Sequence, residues 1–292
     1  MSPRRRLDAE LVRRGLAGSR SQAGALIDAG VVLVGGAVAE RASRLVDAAQ
    51  AVTVLGPAPR FVGRGGEKLD AALHHFGVDV AGRRGLDAGA STGGFTDCLL
   101  QRGAAQVVAV DVGRGQLHER LRLDDRVVVR ERTNIRTATL EALGGEVFDV
   151  VVADLSFISL RTVARQLVGW TGAGGDLVVL VKPQFEAGRS AVSRGRGVIR
   201  DPEIWRTALR EVIVALEEAG ATMMGVMVSP LQGADGNVEF LAHLRTASPG
   251  PAGPNSERAI DGAVAQAAAA AAGPGPFRDS LKGSGATPDP EG

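Results

Sequence analysis

Hydrophobic positions repeat at helical spacing near the start of the chain. Leu7, Leu11 and Val12 share one face of a first helix that ends near Gly15. Ser19 stands three residues ahead of Gln22, a capping-box spacing for a second helix. That helix turns Ala23, Leu26 and Ile27 inward and stops at Gly30. Residues 31–34, 35–36 and 37–39 read as strand, turn and strand. Further on, apolar runs alternate with helical stretches. Helices are predicted over 67–76, 94–101 and 202–219, closed in the first and last cases by Gly77 and Gly220. Strands are predicted up to Asp87 and over 106–110, 127–130, 149–153, 176–181, 222–228 and 238–244. This alternation predicts an α/β body. Its sheet is doubly wound, mostly parallel and Rossmann-like, it follows a small α+β domain, and ligands meet it at the carboxyl ends of the strands.

Composition divides the 292 residues into regions. Residues 4–57 form the small domain, 58–66 a Pro- and Gly-rich linker, and 67–246 the α/β body. In 247–292 Pro, Gly, Ala and Ser dominate, so the tail is expected to be disordered, with at most a flickering helix at the alanine run 267–272. The net charge of +1 hides an uneven distribution. Residues 1–68 carry about +5 and the remainder about −4. A basic head on a mildly acidic body suits a polyanion, although a surface rich in arginine through coding bias would look the same. No apolar run reaches the ~18 residues a membrane span needs, and no apolar stretch follows the basic N-terminus as in a secretory signal. A single cysteine and four scattered histidines argue against a disulfide framework and a metal site. A cytoplasmic compartment is expected, and no obligate protein partner is evident. Cys98, Trp170 and Trp205 read as packing residues.

The chemistry-bearing residues lie at strand ends. Asp87-Ala88-Gly89-Ala90-Ser91-Thr92-Gly93-Gly94-Phe95-Thr96 follows the first strand of the body and opens a helix. Its glycines allow a tight turn and close approach to a ligand, and the helix start offers free N–H groups. It matches neither the dinucleotide fingerprint nor a P-loop, which would carry a lysine. Asp111 closes the next strand, where an acid accepts hydrogen bonds from ribose hydroxyls. Asn134 follows the third strand and is placed to meet an adenine ring, although alone it reads as an ordinary polar strand terminus. Asp154 and Lys182 end the fourth and fifth strands, Glu239 lies in the last strand, and Lys68 sits on the helix ahead of the first. Strands four and five are expected to flank the crevice. Burial lowers the pKa of a strand-end lysine and flanking carboxylates raise it, which can bring it into range for a base.

Four resemblances follow from these residues. Arg6-Leu7-Asp8, Ser19-Arg20-Ser21-Gln22-Ala23 and Gly30-Val31-Val32-Leu33-Val34-Gly35 resemble the αL RNA-binding motif of a ribosomal protein, some tRNA synthetases and pseudouridine synthases. The glycine loop resembles the first motif of S-adenosylmethionine-dependent methyltransferases. The order Lys68, Asp154, Lys182, Glu239, with Asp154-Leu155-Ser156-Phe157-Ile158-Ser159-Leu160 and Lys182-Pro183-Gln184-Phe185-Glu186, resembles the ribose 2′-O-methyltransferases. Residues 4–245 as a whole resemble the hemolysin-A (TlyA) type rRNA methyltransferases with an FtsJ-like domain.

The resemblance implies a reaction and its residues. S-adenosyl-L-methionine would be held by Asp87, Gly89, Ser91, Thr92, Gly93, Gly94, Phe95, Thr96, Asp111 and Asn134. Its methyl would pass to a ribose 2′-OH, a cytidine by family resemblance, in ribosomal RNA or a ribosomal subunit. Lys182 would serve as base, Asp154 and Glu239 would orient it, and Lys68 would position the nucleotide, with no metal. Arg6, Arg14, Arg20, Ser21, Arg41 and Arg64 would meet the RNA. Three other readings remain open at this point: a pseudouridine synthase, which shares the head, a membrane-acting hemolysin, suggested by the family name, and a non-catalytic RNA-binding protein.

Overall fold

A computed structural model describes residues 4–17, 20–56, 59–187, 197–233, 236–246 and 256–272. The head builds helices α1 (Leu7–Arg13) and α2 (Arg20–Asp28) against a three-stranded antiparallel sheet of β2 (Val32–Val34), β3 (Ala37–Val38) and β5 (Val52–Val54). Two shorter strands the sequence did not announce, β1 (Arg5–Arg6) and β4 (Leu45–Val46), pair with each other. Leu7, Leu11, Ala23, Ile27, Val32 and Val34 form its core, the faces the helical spacing predicted. The predicted cap Ser19 lies outside the described residues.

The body is one seven-stranded sheet. Its strands are β6 (Arg84–Ala88), β7 (Gln106–Val110), β8 (Val127–Arg130), β9 (Phe148–Ala153), β10 (Thr171–Val181), β11 (Ala221–Val228) and β12 (Phe240–Thr246). They lie in the order β11-β12-β10-β9-β6-β7-β8, and β12 alone runs against the others, antiparallel to both β10 and β11. The pleat sends alternate residues to opposite faces. Val150, Val152, Val178 and Leu180 face α3 (Gly65–Phe76) and α4 (Gly94–Gln101). Val151, Ala153, Leu177, Val179 and Val181 face the helices Ala164–Trp170 and Pro202–Glu218. The strand order reverses between β6 and β9. The crevice therefore opens between the first and fourth strands of the body, not the fourth and fifth as expected, because β10 adds on the far side of β9.

Two further expectations need correction. The last strand starts at Phe240, so Glu239 precedes it rather than lying in it. The tail is not uniformly disordered: residues Ser256–Ala272 form a helix packed on the Pro202–Glu218 helix and β11. Ile260, Ala263, Val264 and Ala267 fall at i, i+3, i+4 and i+7 and are buried in the main core. Composition hid this stripe because alanine buries little area yet lets helices approach closely. Arg206 and Arg210 ion-pair with Asp261 and Glu257 along its edge.

The linker is fixed to the body. Phe61 is buried beside α3, so close that a side chain on Gly66 would meet its ring. The Val62 N–H donates to Asp97 Oδ2 at 2.8 Å, and Arg60 pairs with Asp70.

Candidate active site

The loop after β6 is built on buried polar anchors. Asp87 is completely buried. Its Oδ2 accepts from the Thr96 N–H at 2.8 Å and the Thr96 hydroxyl at 2.7 Å, while Oδ1 has no partner. Burial, reinforced by the charges of Asp154 and Asp111 and opposed by the Thr96 bonds, pushes this carboxyl up to about 7. Asp87 and Thr96 therefore brace the loop from beneath. Gly93 has φ +96°, and a Cβ there would lie 2.2 Å from a Leu121 methyl. A Cβ on Gly94 would lie 2.9 Å from the Gly66 nitrogen, so the starts of α3 and α4 touch through their backbones. Both glycines are needed for packing against protein. A side chain at Gly93 would therefore meet Leu121 and Leu117 of the protein itself.

Asp111 ties the loop to the next strand end. Oδ2 accepts from the Ser91 N–H at 2.8 Å and Oδ1 from the Gly113 N–H at 2.6 Å, leaving lone pairs for further donors. Two cavities open on this surface and share Gly89 and Ser156. One, of about 230 Å³, is lined among others by Asp111, Val112, Asn134, Ile135, Leu155 and Phe157. The other, of about 160 Å³, is lined among others by Ser91, Thr92, Gly94, Phe95, Asp154 and Lys182. The first is a flat apolar slot with a carboxylate at its rim, the second a polar pocket ending at a lysine. Together they fit an elongated ligand with an adenosine at one end and an amino-acid group at the other. Asn134 borders the slot, although its Oδ1 is taken by the Arg136 N–H.

The four charged residues come together as two ion pairs. Lys182 Nζ lies 2.5 Å from Asp154 Oδ1, a contact off the direction of a regular hydrogen bond, and donates to Ser156 Oγ at 3.0 Å. Lys68 Nζ lies 2.5 Å from Glu239 Oε2, and both side chains are buried. Glu239 is thus the partner of Lys68, whereas Lys182 works with Asp154. Behind them Glu186 accepts from the Leu160 N–H at 2.8 Å and the Ser159 hydroxyl at 2.5 Å, which clamps the segment after β9 to the segment after β10. Sequence reasoning missed Ser156, Phe157 and Glu186. Phe157 is 92% exposed at φ +65°, with its ring 5.2 Å from that of Phe185. An exposed phenylalanine four residues beyond a strand end is only visible as a signal once the strand is placed.

In the head, the proposed RNA-facing residues separate. Arg6 and Arg20 are half-exposed or more and both pair with Asp8. Arg14 is turned inward to Glu10 and donates to the carbonyls of Asp47, Ala48 and Gln50, so it secures a loop. Arg41 and Arg64 are exposed, with Arg64 reaching the Gln232 carbonyl at 2.6 Å. The Ser21 side chain lies outside the described residues. Cys98, Trp170 and Trp205 are buried, and burial pushes the Cys98 thiol up to about 12.

A parallel sheet closed by an antiparallel pair, a glycine loop at its switch point and an acid ending the second strand define a Rossmann-like methyltransferase domain. Residues 61–246 match the FtsJ-like methyltransferase family, and residues 5–52 match the S4 domain. The chain belongs to the FtsJ-like methyltransferase family, in its hemolysin-A (TlyA) branch. The 16S/23S rRNA (cytidine-2′-O)-methyltransferase TlyA of Mycobacterium tuberculosis is 54% identical over 84% of this chain and 91% of its own. Hemolysin A of Brachyspira hyodysenteriae is 41% identical over 82% of this chain and 99% of its own. A solved hemolysin-type structure from Streptococcus thermophilus is 39% identical, with a TM-score of 0.74 over 91% of this chain and 96% of that one. Among the described residues no helix is long and apolar enough to cross a membrane.

Proposed function

We propose that this chain methylates a ribose 2′-OH of ribosomal RNA, on a cytidine as in its mycobacterial relative, with S-adenosylmethionine as donor. The observation that carries the reading is Lys182, paired with Asp154 where the two cavities meet. Asp111, Val112, Asn134 and Ile135 would hold the adenosine end of the donor, and Ser91, Thr92 and Gly94 its amino-acid end. The donor supplies an electrophilic methyl group at this junction. Thr96 and Asp87 keep the loop rigid beneath it.

Lys182 handles the proton. Lys182 Nζ, held 2.5 Å from Asp154 Oδ1, would in its unprotonated form take the proton of the 2′-OH as the O–CH3 bond forms and the S–CH3 bond of the donor breaks, leaving a neutral thioether. Ser156 Oγ, bonded to the same nitrogen, fixes its direction. Lys68 and Glu239 form a second buried pair that shapes the nucleotide side of the site. Phe157 offers an exposed aromatic face on which a base can stack. The S4 domain supplies the hold on RNA, within a free transcript or a ribosomal subunit.

The test is single-turnover methyl transfer to rRNA, with donor and RNA binding measured separately. Lys182→Ala should slow transfer by about 10²–10⁴ with both affinities kept. Lys182→Arg should fail nearly as badly, because a guanidinium stays protonated. Near-normal turnover by Lys182→Arg would refute the base role.

A further inference from the structure

The head places two carboxylates where few proteins keep them, buried on a seven-residue helix. Asp8 is 5% exposed and Glu10 1% exposed. Asp8 does not hold one arginine but two. Oδ1 accepts from Arg6 Nε at 3.1 Å and Oδ2 from Arg6 Nη2 at 3.0 Å, a two-point contact. The same Oδ2 accepts from Arg20 Nη2 at 2.8 Å and Nε at 3.2 Å. The Ala9 N–H adds a further bond to Oδ1 at 2.8 Å, so the carboxylate is fixed to the helix backbone. These bonds hold the Asp8 carboxyl well below the usual carboxylate range, so it stays charged.

The arrangement has a consequence for the arginines. Their side chains are 47% and 61% exposed, yet their guanidinium groups lie side by side on one buried anchor. A guanidinium has five N–H donors, and Asp8 takes two from each, which leaves three on each for a ligand. One carboxylate between two guanidinium groups also removes most of their mutual repulsion while leaving a net positive charge. Free arginines lose much rotamer freedom when they bind, whereas these two are ordered beforehand.

We propose that Asp8 is a positioning residue for RNA binding, holding Arg6 and Arg20 as a preformed two-guanidinium clamp for backbone phosphates of the RNA. This rests on the reading of the head as the RNA-binding part. The clamp recognises phosphate by planar, two-point hydrogen bonds. Order, more than charge, is the contribution of Asp8.

Asp8→Asn separates order from charge because the two predict opposite signs. The variant raises the charge of the head by one, so long-range electrostatics alone would tighten RNA binding. Loss of the anchor should weaken it roughly tenfold, since both arginines must then be ordered at the moment of binding. The experiment measures filter binding of 23S and 16S rRNA transcripts to the full chain at several salt concentrations. Asp8→Asn should bind more weakly with the salt slope nearly unchanged, because the number of phosphates neutralised is the same. Arg6→Ala/Arg20→Ala should weaken binding and lower the slope by about 2. In that doubly substituted background Asp8→Asn should have no further effect.

Equal or tighter binding by Asp8→Asn overturns the proposal. So does an equal loss on adding Asp8→Asn to the double variant, which would show a general loosening of the head. If Arg6→Ala/Arg20→Ala leaves affinity and slope unchanged, the basic face is not an RNA surface and the underlying reading fails. If that double variant weakens binding and Asp8→Asn alone does not, only the positioning role fails.

Discussion

Asp87→Asn gives the site a pH signature with a defined sign. Asp87 sits under the glycine loop with its carboxyl pushed up to about 7, first by burial and then by the charges of Asp154 and Asp111. In the unfolded chain the same group titrates near ~3.9. The folded state therefore holds the proton more tightly. The stability this gives is fully present below about pH 4 and is lost as pH rises through about 7. A shift of about three units corresponds to about 4 kcal/mol, of which roughly 2.5 kcal/mol falls between pH 5 and pH 8. Asparagine matches the shape and can still accept both Thr96 bonds at its amide oxygen, but it does not ionise. The amide nitrogen takes the place of the unpartnered Oδ1, a cost that does not depend on pH. Urea denaturation of both proteins from pH 5 to 8, followed by circular dichroism, measures the difference. The stability of the variant relative to wild type should rise by roughly 2.5 kcal/mol across that range. All other titrating groups are common to both proteins and drop out. A difference that stays constant with pH would refute the argument, and so would one that falls.

Three other outcomes are expected. Ile260→Ala, in the C-terminal helix, should destabilise the body by about 2–5 kcal/mol in chemical denaturation, and an unchanged midpoint would show that the helix is not part of the core. Lys68→Met leaves the buried Glu239 carboxylate without its 2.5 Å partner and should cost about 3–5 kcal/mol, while Lys68→Met/Glu239→Gln should recover most of it; the denaturation midpoints of the two variants decide this. Gly93→Val should lower the melting temperature and donor affinity together, because its side chain meets Leu121 and Leu117; lost affinity with an unchanged melting temperature would place the glycine against ligand instead.

Much of the site was legible because strand ends are. Asp87, Asp111, Asp154 and Lys182 each follow an apolar run with a clear beginning and end, and a parallel sheet collects such residues along one edge. The partition of the four charged residues was not legible. Lys68 and Glu239 are 171 positions apart and meet only because α3 and the approach to β12 converge. Inward-facing arginine was equally hidden: Arg14 looks like Arg20 in the sequence, and only the carbonyls of Asp47, Ala48 and Gln50 distinguish it. The C-terminal helix escaped because disorder was inferred from average composition, while four small or branched residues at one helical face decide the matter. Ser156 and Phe157 were read as part of a motif, without a direction for either side chain.

The seating of Phe61 in the body fixes how far the head can stray. From Val54, the last residue of β5, to Phe61 the chain can extend about 25 Å at most. A tether this short makes the second contact of a bound RNA intramolecular, at an effective concentration in the millimolar range. The catalytic crevice can then work with an intrinsic hold on the target strand too weak to retain it alone. Reach becomes a form of substrate selection. An RNA that offers a head site and a target ribose at the right separation gains avidity, and one with the same two elements spaced further apart is bound by the head and left unmodified.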